Sequence, residues 1–202
     1  MTSGRTDLAV SQEYLDQILD CYLPHVRYLK AAHVEFGERG EPFESELGGC
    51  VAVARGEFRS VPAWYIRDTG HFNSIEFNIC YNQLAFVLVG QCIERGVVSA
   101  LSAQLPKQEF RERMLPDLVI SRYSVNFERP MQALDFCASF GIMKVISKMG
   151  RLFLQTRCWV GPAQDRWCAR GEVMLAVVRS VVAESRASST VDEHHSREMS
   201  VQ

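Results

Sequence analysis

From Ser74 to Arg95 the apolar residues run almost all the way round a helical repeat, with Ile75, Phe77, Ile79, Leu84, Ala85, Phe86, Val87, Leu88, Val89 and Ile93 on every face. That pattern predicts a long buried helix, and Gly96 predicts its end. Upstream, Ser11 is placed to cap a short amphipathic helix carrying Leu15, Ile18, Leu19 and Tyr22 on one face, which Pro24 terminates. Residues 26–36 and 47–58 have the β-branched and aromatic content of strands, separated by a charged Gly/Pro loop over 37–46. After the buried helix, a polar segment over 106–116 suits a short helix. Four further strands are predicted over 118–127, 133–144, 151–160 and 167–178. The Phe140-Gly141 pair within one of them suggests a bulge. Residues 184–202 are rich in Ser, charge and His and are expected to be disordered, leaving a single domain over 1–183. The elements add up to an α+β class: one antiparallel sheet of five or six strands and one buried helix.

The buried helix is not purely apolar. It carries Glu76, Asn78, Asn82 and Gln83, and an unpaired buried amide costs about 1–3 kcal/mol. These groups must therefore bond to one another and to backbone, or face a cavity. The helix is fed by a polar loop, Tyr65-Ile66-Arg67-Asp68-Thr69-Gly70-His71-Phe72-Asn73. A loop with His and Asn at the start of a buried helix is a place for chemistry, because the first N–H groups of a helix can stabilise a developing anion.

The run Tyr65 to Ala85 resembles the signature of the FcoT-like family. The pattern is Tyr-Ile-Arg-x-Thr-Gly-His-Phe-Asn, an acidic residue, and then Asn-Gln-Leu-Ala, all at the same spacing here. The resemblance implies a hot-dog fold, in which an antiparallel sheet wraps one long helix. It implies an acyl thioester substrate on the phosphopantetheine of an acyl carrier protein, with no other cofactor. Family members in isonitrile lipopeptide gene clusters are (2E)-enoyl-ACP glycyltransferases, and the family was first described as long-chain acyl-CoA thioesterases. Family site residues fall on Tyr65, Asn73 and Asn82, and a fourth, a tyrosine near the N-terminus, on Tyr22. Hot-dog proteins pair across a sheet edge, so a homodimer or a higher assembly of dimers is expected.

Each candidate has a structural alternative. His71 can serve as acid or base, its unperturbed pKa of about 6.5 suiting both roles, or it can bond loop backbone. The Gly-His-Phe segment is similar to that of hot-dog dehydratases, which act across the same carbon–carbon bond. Asn73 can bind substrate, cap the helix, or do both. Glu76 can act as a base towards the glycine ammonium, but Asn-x-x-Glu is also the spacing of a capping box, the slightly favoured reading. Asn82 can face substrate or pair with Asn78 one turn earlier. Tyr65 can hold a carbonyl or a water, or pack beneath the loop. Arg67 can hold the glycine carboxylate or form a surface ion pair with Asp68. Lys107, Arg111 and Arg113 can meet an acidic carrier protein or simply be solvated.

The charge balance narrows the classes. A net charge of −2 over 202 residues with no basic stripe argues against nucleic acid. Apolar runs are too short to span a membrane. Seven scattered Cys without a secretory leader suggest reduced thiols in the cytoplasm, with Cys50, Cys80 and Cys137 as core residues. No spacing suits a metal site, the His194-His195 pair included, and no G-x-S-x-G elbow is present. Three functions stay open: glycine addition to a 2-enoyl-ACP, hydrolysis of an acyl-CoA or acyl-ACP thioester, and non-catalytic acyl binding.

Overall fold

The computed structural model describes residues 5–60, 71–132 and 134–178. Nine strands and four α-helices are assigned among them: β1 (Thr6–Ala9), α1 (Gln12–Leu19), β2 (Leu29–Phe36), β3 (Phe43–Ser45), β4 (Gly48–Cys50), β5 (Ala52–Arg59), α2 (Ser74–Arg95), α3 (Ser99–Gln104), α4 (Phe110–Asp117), β6 (Leu118–Phe127), β7 (Asp135–Lys148), β8 (Arg151–Gly161) and β9 (Ala169–Val177). Seven strands form one antiparallel sheet in the order β1-β2-β5-β7-β8-β9-β6. The remaining pair, β3 and β4, is a small hairpin. The sheet wraps α2, which is the hot-dog arrangement.

Burial drives the wrapping. Between Glu76 and Ile93, every residue of α2 is buried except Asn78, Ile79 and Asn82. Phe77, Leu84 and Leu88 meet the inward side chains of the sheet, among them Phe140, Leu154, Val173 and Leu175. Close approach requires glycine at two points. A Cβ on Gly56 of β5 would lie 2.9 Å from Leu84 Cδ2, and one on Gly171 of β9 2.7 Å from Phe77 Cζ. The opposite sheet face is covered locally by the β3–β4 hairpin, where Phe43, Leu47, Cys50 and Val53 form a second small core with Met143 and Trp159 packed on it.

The polar groups of α2 find partners. Gln83 is fully buried; its amide donates to Val26 O at 2.6 Å and accepts from Leu29 N at 2.9 Å, which braces the entry to β2 against the helix. Tyr81, also fully buried, bonds Thr156 Oγ1 at 2.9 Å, and Thr156 donates onward to Val173 O. On the other sheet face Arg55 bridges Glu46 and Glu35. Burial alone would raise the Glu46 carboxyl. Hydrogen bonds from Arg55 and Ser139 outweigh it and hold Glu46 below the ordinary carboxylate range.

Most predicted elements are present, and several details differ: α3 was not predicted, and the first strand begins at Leu29 because Pro24–Val26 form a short 3-10 turn. The sheet has seven strands because β1 pairs with β2. That strand is four residues long and mostly exposed, so it leaves no hydrophobic signal and is held by backbone pairing. The predicted strand over 47–58 is split between β4 and β5, since Leu47 to Cys50 folds back on Phe43–Ser45. The register shift in β7 falls between Ile142 and Lys144, not at Gly141. Gly141 instead makes room for Leu47, whose Cδ1 would lie 2.8 Å from an added Cβ. Cys137 is half-buried, whereas Cys50 and Cys80 are in the core as expected.

Candidate functional site

Asn73 is the N-cap of α2. Its extended backbone (φ −131°, ψ −172°) turns the chain into the helix, and its side chain accepts from Ile75 N at 2.8 Å. Glu76 Oε2 accepts from Asn73 N at 3.0 Å, completing a capping box. Glu76 is therefore a buried carboxylate facing back along its own first turn, as the capping reading requires. The box takes up the N–H groups of Asn73, Ile75 and Glu76. The Ser74 amide is the N-terminal donor outside it, so an anion at this helix end would have to be met by Ser74 N–H and by side chains.

A cleft of about 340 Å³ opens at this point. One wall is His71, Phe72, Asn73 and Ser74; the other is Phe127, Glu128, Arg129 and Pro130, the chain leaving β6. The two walls are tied together: Phe72 N donates to Met131 O at 2.9 Å. Phe72 also packs edge-on to Phe136, which stacks on Phe58. His71 is exposed on this cleft.

Asn82 lies elsewhere on α2. Nine residues separate it from Asn73, about 13.5 Å at 1.5 Å per residue. Its Nδ2 donates to Asn78 Oδ1 at 2.8 Å. The Tyr123 hydroxyl of β6 is buried and lies beside Asn78 without full hydrogen-bond geometry. Burial raises Tyr123 to about 12, and Asn78 lowers it in part. Asn78, Ile79 and Asn82 thus form a half-open stripe on an otherwise enclosed helix. Phe86 is one turn beyond Asn82 on that face, and Tyr22 packs on it with centroids 6.3 Å apart. Burial pushes the Tyr22 phenol well above its ordinary value. Tyr22 and Asn82 therefore share one face of α2.

The predicted residues divide accordingly. His71 and Asn73 meet in the cleft, Glu76 supports Asn73 from beneath, and Asn82 and Tyr22 lie along the stripe. Tyr65 and Arg67 lie outside the described residues. Two of the three basic candidates here are engaged: Arg113 of α4 bonds Glu109 at 2.9 Å and the buried Asp117 at 2.6 Å, and Lys107, before α4, is 3.9 Å from Glu94. A larger cleft of about 700 Å³ beside α4 and the β7–β8 turn includes Arg113 and none of the other predicted residues. Sequence reasoning missed Phe127 to Pro130 and Tyr123. The strand containing or preceding them was legible, but only the sheet order brings the end of β6 to the start of α2. Among the described residues no three His, Cys, Asp or Glu side chains cluster as metal ligands, and no helix is long and apolar enough to cross a membrane.

Comparison with known proteins adds to this geometry. A (2E)-enoyl-[ACP] glycyltransferase of Streptomyces coeruleorubidus is 38% identical over 122 residues, covering 60% of this chain and 67% of that protein. One of the same name from Mycobacterium marinum is 28% identical over 128 residues, covering 62% and 69%. Among solved structures, the E. coli PaaI protein from the phenylacetic acid degradation operon superposes with a TM-score of 0.37 at 10% identity, covering 63% of this chain and 74% of that one. The model of the FcoT-like thioesterase domain matches residues 17–177, and the chain belongs to that family.

Proposed function

We propose that the protein adds glycine to the β-carbon of a (2E)-enoyl thioester carried on an acyl carrier protein. The observation that carries this reading is the 38% identity to a relative bearing that activity in its name, within a shared family. In the reaction the glycine nitrogen forms a bond to the β-carbon and the double-bond electrons move towards the thioester oxygen. The nitrogen then loses a proton and the α-carbon gains one; the thioester stays intact. His71, exposed in the cleft at the helix start, is suited to carry that proton. Asn73 and Ser74 N–H are the groups placed to meet the developing oxyanion. Tyr22, Asn78 and Asn82 would line the acyl path, with Tyr65 joining them as a site residue that the family resemblance implies. No metal or further cofactor is needed, and isonitrile lipopeptide assembly is the setting the resemblance suggests.

Thioester hydrolysis is the second reading, supported by the family's description as a thioesterase domain. The two differ in whether the carrier thiol is released. Following free thiol from crotonyl-ACP decides between them. Addition predicts no thiol release with or without glycine, whereas steady, glycine-independent release would establish hydrolysis.

The working form is proposed to be a dimer. Among the described residues β6 is a ten-residue edge strand with no strand on its outer side, and Val119 and Phe127 of β6 and Ile75 of α2 are exposed. Light scattering in solution should return twice the chain mass; a monomer mass at assay concentration would contradict this.

A further inference from the structure

The cleft at the start of α2 contains a cation that the sequence motif does not. Arg129 follows β6 by two residues, and its position is fixed by the backbone. Glu128 N and Arg129 N both donate to Cys168 O, at 2.8 and 3.3 Å, which extends the pairing of β6 with β9 past the strand end. The Arg129 guanidinium donates one N–H to Trp167 O at 3.3 Å. Among the described residues the rest of its planar fork makes no hydrogen bond. The other charged wall residue, Glu128, is paired with Arg170 at 3.4 Å, and Arg170 lies 4.6 Å over the Trp159 ring. Among the described residues, no carboxylate forms an ion pair with Arg129. A guanidinium with no counter-charge among the described residues, in a cleft shared with His71, Asn73 and Ser74, is suited to a small oxyanion, which the fork binds bidentately.

Two reactants could bring an oxyanion here. The amino acid brings a carboxylate, and phosphopantetheine brings a phosphate. The arm of phosphopantetheine separates its phosphate from the reacting thioester, whereas the carboxylate of glycine is one carbon from the attacking nitrogen. His71, the proton carrier, lines the same cleft, which favours the carboxylate. Resting on the proposed addition reaction, we infer that Arg129 binds the carboxylate of the incoming amino acid and thereby selects an α-amino acid over a simple amine.

The test uses the full-length protein with crotonyl-ACP and either glycine or methylamine as nucleophile, comparing wild type, Arg129→Gln and Arg129→Lys. Removing a charge-assisted contact should raise KM for glycine on the order of tenfold to a hundredfold in Arg129→Gln. KM for crotonyl-ACP and the rate with methylamine should be unchanged. Arg129→Lys should recover part of the glycine affinity. Because Arg129 is exposed, the variants should keep the wild-type urea midpoint, and a loss of KM without a loss of stability marks a binding role. An unchanged KM for glycine overturns the inference. A rise confined to KM for crotonyl-ACP also overturns it and assigns Arg129 to the phosphate. Absence of any glycine-dependent product with wild type would instead refute the addition reaction itself, a result visible before any variant is made.

Discussion

Asn73 is given two jobs, and substitution can separate them. As an N-cap it accepts one hydrogen bond at 2.8 Å from Ile75 N and is locked by Glu76 at 3.0 Å. Replacing an Asn cap by Ala costs about 1 kcal/mol, within a range of roughly 0.5–2, whereas Ser caps almost as well as Asn. For a chain of this size 1 kcal/mol shifts Tm by about 2–4 °C. Asn73→Ala should therefore melt a few degrees lower, and Asn73→Ser should stay within about 0.5 kcal/mol of wild type. Both lose the amide N–H donors. If those donors meet charge developing on the thioester oxygen, each variant should lose about 10²–10³ in turnover, the usual effect of deleting one oxyanion donor. The assay pairs urea denaturation, with midpoint and slope fitted separately, with the initial rate of product formation on saturating crotonyl-ACP and glycine. The informative variant is Asn73→Ser, in which the cap survives. Wild-type turnover there would refute a substrate role and leave Asn73 as a cap alone.

Three further outcomes are expected. Asn82→Ala should remain folded and lose most of its turnover, because its amide lies on the half-open stripe of α2; near wild-type rates would make it merely the partner of Asn78. Gln83→Leu should cost about 2–3 kcal/mol in a urea titration, since Leu29 N loses its partner while Val26 O keeps a bond from Tyr28 N; a change under 0.5 kcal/mol would show that the brace is unimportant. Glu46 is held below its ordinary value in the folded state, so its contribution is present above the unfolded glutamate pKa of about 4.3 and is lost as pH falls through the folded value. Glu46→Gln should accordingly be less stable at pH 7 and show a flatter decline between pH 5 and pH 3, and an acid limb parallel to wild type would contradict that assignment.

What the sequence revealed and what it hid follow from the range of the interactions. The limits of α2 were legible because both ends are set locally, by Asn73 with Glu76 at one end and Gly96 in the left-handed conformation at the other. β6 was legible to the residue, since its alternation and the flanking Pro116 and Pro130 lie within one window. β1 was not, because a mostly exposed four-residue edge strand buries nothing that would mark it. The capping role of Glu76 and the Asn78–Asn82 pair could be inferred from spacing alone. Arg129 could not, because its place depends on the end of β6 pairing with the start of β9, with Arg129 N bonded to Cys168 O far along the chain, and on the bond from Phe72 to Met131. The α4 cations looked free in sequence, yet Arg113 is held by an acid four residues before it and another four residues after it.

The central claim is the addition of glycine without loss of the thioester. Intact-protein mass spectrometry of crotonyl-ACP incubated with this chain, with and without glycine, tests it most directly. A mass gain of one glycine on the acyl carrier protein, dependent on both glycine and the protein, is the predicted result. Conversion to the bare carrier protein at the same rate with and without glycine would contradict it and make the protein a thioesterase.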